Sequence, residues 1–430
     1  MMQVGCLRSQ GRIIMAIPEA DKTILRKLGE KIAKISALPT QKERARMWAR
    51  LNRLEPVKPM IWINEIPWHE MDVNDELKIQ TTDPFCRGVE GGLRRTIYQW
   101  EHMPGDMIIE EKLYSSLAIR NTGFGIGENV DIVRTDPRSD IVSRTFHSQI
   151  NSEEDIEKIK TPVVTHDVEA SERNYQRMVE IFDGIIPIEK RGIPGRWFAP
   201  WDELIRWWDV EKAMVDIVLR PELVHKAMDR LVSGYLSLLD QWEELNLLSL
   251  NNNNTRIGSG GYGYTDELPQ PDFDPVYVRP IDIWGCATAQ IFSAVSPETH
   301  EEFALQYERR WLERFGLTYY GCCEPLDNKM EVLKSIPNLR KISMSPWIDI
   351  DRAAELVGNK YVFSRKPNPE VLAWDVWNPE LARKRLRETL EKTRGCVVEI
   401  IMKDISTVRY EPQRLWEWAD IAAQEAERFA

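Results

Sequence analysis

Residues 281–325 hold three runs in succession: Ile281-Asp282-Ile283-Trp284-Gly285-Cys286, then Ser296-Pro297-Glu298-Thr299-His300-Glu301-Glu302-Phe303-Ala304-Leu305-Gln306-Tyr307, then Leu317-Thr318-Tyr319-Tyr320-Gly321-Cys322-Cys323-Glu324-Pro325. The first is apolar and ends at Trp284–Cys286, which predicts a strand. Ser296 and Pro297 predict a helix start: the serine hydroxyl can accept from a free N–H of the first turn, and proline lacks an N–H that would have no partner there. Phe303, Tyr307, Trp311 and Phe315 recur at helical spacing, and Gly316 stops the helix. A short second strand then delivers Cys322, Cys323 and Glu324 at its end.

Working outward, the alternation is regular from residue 196. A helix is predicted over 202–219 and another from Pro221 through Leu239, followed by the strand Leu247–Leu250. Strands then recur at 281–284, 317–321, 340–344, 360–364 and 396–405, with helical stretches between them. Parallel strands alternating with crossover helices predict an α/β fold, a (β/α)8 TIM barrel, whose chemistry sits at the C-terminal strand ends. A literal G-x-G-x-x-G at Gly258, Gly260 and Gly263 leads into Thr265-Asp266-Glu267-Leu268-Pro269. A dinucleotide fingerprint needs a helix there, so 251–280 is expected to be a long active-site loop.

Towards the N-terminus the barrel is expected to begin at Pro59-Met60-Ile61-Trp62-Ile63, giving a barrel domain over 59–430 and a helical extension over 1–58. The extension carries two amphipathic helices within 21–54, broken at Leu38-Pro39, whose expected role is packing or contact within a homodimer. Residues 1–14 show no periodicity, which makes Met15 a candidate start. Between 60 and 170 the pattern is irregular, with short β-prone pieces at Met107–Ile109 and Ile132–Val133.

Composition narrows the function. A net charge of −11 without a Lys/Arg-dense patch argues against nucleic acid or an anionic membrane as partner, and no run of eighteen apolar residues or signal peptide is seen, so a cytoplasmic location is expected. Six cysteines, at 6, 86, 286, 322, 323 and 396, lack the spacing of a disulfide scaffold. Of the six histidines only His69, just past the first barrel strand, suits a site; His225 and His300 fall in amphipathic helices and are expected to be solvated. Among sixteen tryptophans, Trp68, Trp284 and Trp347 lie at or just after strand ends and are candidates to wall a substrate pocket. Trp207, Trp208, Trp311, Trp416 and Trp418 are expected to pack in the core.

At these residues the chain resembles the uroporphyrinogen decarboxylase superfamily. The resemblance rests on Ser296-Pro297-Glu298-x-x-Glu301-Glu302-Phe303-x-Leu305-x-Tyr307, on the cysteine-bearing strand end that follows, on Asp349-Ile350-Asp351-Arg352-Ala353-Ala354-Glu355-Leu356-Val357-Gly358, and on Pro367-Asn368-Pro369 after Tyr361-Val362-Phe363. It covers roughly residues 200–430. The Pro-Val-Trp-x-Met-Arg-Gln-Ala-Gly-Arg motif of the tetrapyrrole decarboxylases is missing, and what remains looks like the corrinoid-dependent methyltransferase branch, the methyltransferase components of O-demethylase systems.

That resemblance implies a zinc held by a His-x-Cys strand end and a later Cys. Here Tyr320 stands at the His position and Lys403 near the later Cys, on the strand ending Met402-Lys403-Asp404. Substitute ligands are Cys322 and Glu324, expected to face the same way by strand alternation, with Cys323 on the turn and Cys286 at the end of the preceding strand. The resemblance then implies transfer of a methyl group from a small, aromatic methyl ether to the cobalt of a separate corrinoid protein. Zinc would act as Lewis acid, Tyr320 or Asp404 would carry a proton, and Trp68, His69, Trp284, Trp347 and Lys403 would contact substrate. The chain has no Asp-x-His-x-x-Gly cobalamin signature, so the corrinoid must arrive on a partner, with loop 251–280 as part of the docking surface. The alternatives are a decarboxylase, for which Arg365, Lys366 and Lys403 are the candidate cations, and a non-catalytic barrel that binds a corrinoid protein.

Overall fold

The computed structural model of the chain describes residues 17–134, 137 and 142–430; Cys6 and Met15 lie outside them. Six parallel strands, β1 (Met60–Ile63), β2 (Trp284–Ala287), β3 (Leu317–Tyr320), β4 (Leu339–Met344), β5 (Val362–Arg365) and β6 (Val397–Met402), form one sheet in the order β1-β6-β5-β4-β3-β2. Their residues are nearly all buried, because crossover helices cover one face and the sheet curls around an interior on the other. Two extended segments continue the sheet beyond β2: Ile193 exchanges backbone bonds with Leu247 and Ser249, and the Asn251 amide bridges to the Trp284 backbone, accepting from its N–H at 2.9 Å and donating to its carbonyl at 3.0 Å.

Of the (β/α)8 barrel expected from the alternation, the structure shows the mixed α/β architecture and a six-stranded parallel sheet, with further parallel pairing between Leu113–Ser116 and Ile188–Arg191 and between Ile193 and Leu248; a closed barrel is not shown among the described residues. At the outer edge of β1 both backbone groups of Ile61 are taken: its N–H donates to the Asp106 carboxylate at 2.7 Å and its carbonyl accepts from Asp106 N–H at 2.7 Å. Other departures have local causes. Pro280–Asp282 is a turn, so that strand starts at Trp284 rather than 281. The helix expected over 202–219 is two, Pro200–Trp208 and Val210–Leu219, broken at Asp209, which has φ 73° and caps the second by accepting from Glu211 N–H at 2.9 Å. Ser296 caps its helix as expected, accepting from Thr299 N–H at 3.2 Å.

Strand alternation sorts the sheet into two chemistries. Tyr320, Ile342, Met344, Phe363, Val398, Ile400 and Met402 face the helices and share one core with Trp201, Trp208, Trp311 and Trp418. Trp284, Tyr319, Lys341, Ser364 and Glu399 belong to the opposite side, and at its base Met60, Val362, Val397 and Ile401 pack on Trp48 and Leu51 from the N-terminal helix Pro39–Asn52. The predicted helices of the extension are present, as Glu19–Ser36 and Pro39–Asn52.

The glycine-rich segment 258–263 enters this interior and fills it. A Cβ at Gly258 would stand 2.4 Å from the Tyr319 ring, one at Gly260 2.5 Å from the Glu399 carboxylate, and one at Gly261 2.4 Å from Trp48. The glycines are thus read by close packing, with no phosphate involved. Residues 257–263 are mostly buried in consequence, and only the later part of loop 251–280 stays at the surface. Among the described residues, no helix is long and apolar enough to cross a membrane.

Glu399 and Lys341 are both fully buried and paired at 2.9 Å. Removing one partner strands a charge in low dielectric, whereas removing both need not. Lys341→Met should therefore cost about 3–5 kcal/mol in urea unfolding, and Lys341→Met with Glu399→Leu should recover most of it; a double variant as unstable as the single would show that the pair's charges are not what matters.

Candidate functional site

The C-terminal strand ends open into a cavity of about 460 Å³ lined by Glu65 after β1, Arg196 and Trp197, Arg256 to Ser259, Cys286 of β2, Cys322 after β3 and Lys403 after β6. Three backbone reversals shape it. Gly321 has φ 96°, Glu65 φ 52° and Asp404 φ 56°, all in the left-handed region that costs a residue with a Cβ about 1–3 kcal/mol. The turn at Gly321 brings Cys322 into the cavity, although strict alternation from Tyr320 would send it towards the helices.

Lys403 is the electrostatic centre. It is only 3% exposed, and its ammonium lies 2.7 Å from Asp404, 3.5 Å from Glu65 and 3.5 Å from the Cys322 sulfur. Burial opposes its charge, but Cys322, Glu65 and Asp404 outweigh burial and hold its pKa above the usual lysine value. Cys322 is lowered below a normal thiol, first by the hydrogen bond with Cys323, 3.5 Å away, and then by the Lys403 charge. Against burial, the hydrogen bond with Asp404 and the charges of Lys403 and Arg256 hold Glu65 down to about 2. Burial and that same contact push Asp404 up. The result is a thiolate-favouring cysteine beside a fixed cation.

Behind this wall lies a second polar chain. Lys366, 2% exposed, donates to the Ser364 carbonyl at 2.8 Å, to the Ser364 hydroxyl at 2.7 Å and to the Tyr319 hydroxyl. The Tyr319 hydroxyl is 2.8 Å from the hydroxyl of Ser259, which lines the cavity. Burial pushes Lys366 down to about 7. A titratable amine is thus joined to the cavity through two hydroxyls.

The expected site residues divide. Cys286, Cys322, Trp284 and Lys403 line this cavity. Trp68, His69 and Asp404 line an adjoining one of about 780 Å³, which shares Glu65 with it. Trp347 is 69% exposed and lines neither, which corrects its expected role as a ring clamp with Trp284. Tyr320 is also corrected: it faces the helices, where its hydroxyl bonds His300 at 2.6 Å and Glu308 at 2.6 Å, and it is the neighbouring Tyr319 that faces the interior. His300, expected to be solvated, is fully buried in that cluster. Trp197, Arg196, Arg256, Ser259 and Glu65 were not singled out by their sequence context, since no motif marks them as site residues.

The four expected zinc ligands do not converge. Among the described residues no group of three or more His, Cys, Asp or Glu side chains is placed to hold a metal ion. Cys286 donates to the Arg196 carbonyl at 3.3 Å, and burial pushes its thiol up to about 11. Both Glu324 oxygens are engaged, one by Cys322 N–H at 2.9 Å and the other by the Thr288 hydroxyl at 2.8 Å. The remaining thiol pair has the Lys403 ammonium beside it, a charge that competes with any cation. This donor set does not fit the zinc that the family resemblance implied.

Two outcomes follow. Cys322 should be the first cysteine alkylated by iodoacetamide, read by peptide mass spectrometry, and Lys403→Met should move its reactivity midpoint to higher pH; an unchanged midpoint would remove Lys403 as the cause. In the Tyr320 cluster, burial, reinforced by Glu324 and Asp202 and opposed by the Tyr320 hydrogen bond, pushes Glu308 up to about 8. An unfolded glutamate titrates near about 4.3, so between these values the folded state binds more protons and its stability falls as pH rises. Urea midpoints should drop from pH 6 to pH 9, and Glu308→Gln should flatten that slope; an equal slope in the variant would refute the assignment.

Set against known proteins, no protein-family profile and no curated protein sequence matches this chain. Among solved structures it is similar to a methyltransferase from Methanosarcina mazei, with TM-score 0.50 and 12% sequence identity over 90% of this chain and 99% of that one. At this identity the likeness is one of fold.

Proposed function

We propose that the protein transfers a methyl group from a small methylated substrate, an aryl methyl ether, to a corrinoid carried on a separate protein. The observation that carries this reading is the cavity itself, which is lined both by a fixed cation, Lys403, and by Ser259 at the end of a hydrogen-bonded chain from Lys366. The likeness in fold to a methyltransferase supports it, and the cavity volume, about 460 Å³, suits a small ligand.

An ether methyl leaves its oxygen reluctantly because the departing phenoxide or alkoxide is unstable, so the protein must stabilise charge that appears on that oxygen only as the bond breaks. Lys403, held charged by its three neighbours, does this without reorganisation. Ser259 donates its hydroxyl proton to the oxygen and recovers one from Tyr319, which recovers one from Lys366. An amine near 7 is well matched to proton donation at neutral pH. The corrinoid supplies the strong nucleophile for the methyl carbon. Its carrier would approach from the adjoining cavity lined by Trp68, His69 and Arg95.

The test mixes the protein with a reduced corrinoid protein and a methoxylated phenol, and follows loss of the cobalt(I) absorbance. Lys366→Met should lower kcat by about 10²–10⁴-fold, leave KM nearly unchanged, and abolish the fall in rate as pH rises through about 7, the limb on which Lys366 loses its proton. Absence of methyl transfer across a panel of methoxyarenes, with carbon dioxide release from a carboxylated tetrapyrrole instead, would overturn the reading in favour of a decarboxylase.

A further inference from the structure

The anionic groups of the cavity gather around two of its three cations. Arg196, Arg256 and Lys403 line it against a single carboxylate, Glu65. Arg256 is 2.8 Å from Glu65 and Lys403 is shared between Glu65 and Asp404. Arg196 differs, because among the described residues no carboxylate pairs with it and its buried Nε has no hydrogen-bond partner. Its guanidinium lies 4.9 Å from the centre of the Tyr235 ring, a contact that fixes its position without neutralising it. The buried Nε of Arg256 is likewise without a partner.

The segment bearing Arg196 is held firmly. Ile193 is bonded to Leu247 and Ser249, and the Asn251 amide donates to the Pro194 carbonyl at 2.6 Å. A guanidinium on a fixed backbone, with a buried donor unspent, costs stability unless something completes it. Its planar fork matches a carboxylate, and Trp197, Ile257 and Trp284 on the same cavity wall supply apolar surface for a ring.

We propose that Arg196, with Arg256 beside it, forms a carboxylate-binding subsite, so that the substrate is an aromatic carboxylic acid rather than a neutral methoxyarene. This rests on the proposed methyl transfer only for the reacting end of the molecule; the subsite itself is a binding property of this chain. In it the acid is anchored at Arg196 while the ether oxygen reaches the Lys403 and Ser259 side of the cavity. Placing the charge at one end and the reacting oxygen at the other gives the substrate one orientation.

The experiment is calorimetric binding to the full chain without any corrinoid protein, using 4-methoxybenzoate and the uncharged 4-methoxybenzyl alcohol. The benzoate should bind at least about tenfold tighter, the span of one charge-assisted hydrogen bond. Arg196→Gln should erase that preference and Arg196→Lys should retain part of it, with the thermal midpoints of both variants showing that they fold. Equal affinity for the two probes, undetectable binding of the benzoate, or a preference untouched in Arg196→Gln would overturn the subsite. Because no methyl acceptor is present, an intact preference in a protein that transfers no methyl group would sink the proposed reaction alone, whereas methyl transfer without the preference would sink the subsite alone.

Discussion

A carboxylate buried in the sheet interior sets the terms for the whole molecule. Glu399 is fully buried and accepts from Lys341 at 2.9 Å, from the Ser364 hydroxyl at 2.5 Å and from the Gly261 backbone at 3.1 Å. Opposed by burial, these partners and the Lys366 charge hold it ionised. An unpaired charge there would be prohibitive, whereas a fully satisfied one ties three strands and a loop to one geometry. Because the Gly261 N–H is one of the donors, segment 258–263 must run through the interior, and only glycine fits at the crossing points.

From that packing the site follows. The plug carries Ser259 to the cavity floor, 3.2 Å from the Gly321 carbonyl and within reach of Tyr319. Lys366, two residues beyond Ser364, occupies the same polar column, so the group that titrates near neutrality is coupled to the residues that hold the fold. Stability and chemistry share one hydrogen-bonded column here, and its titratable member keeps its perturbed pKa because the column leaves no room for solvent.

The strand ends add strain to this frame. Glu65 and Asp404, just past the ends of the adjacent strands β1 and β6, both take left-handed backbone conformations, and Asp404 N–H donates to Glu65 at 3.2 Å. Their carboxylates share Lys403, which in turn stands beside Cys322. The same ammonium that makes Cys322 more acidic also makes the thiol pair a poor place for a metal cation.

Much of the architecture was legible in the sequence. The parallel strands at 284–287, 317–320, 339–344, 362–365 and 397–402, the Ser296 cap and the two N-terminal helices follow from local periodicity and capping chemistry, which depend on near neighbours in the chain. The clustering of chemistry at strand ends located Cys322, Lys403 and Cys286 in one cavity. What local pattern could not supply was direction. One left-handed glycine at 321 turned Cys322 inward and left Tyr320 on the helix side. Arg196, Arg256 and Ser259 carry no motif that marks them, and they meet the strand-end residues only because the interior must be filled and its buried charge satisfied. Those are conditions on the folded volume, and only the tertiary structure decides how they are met.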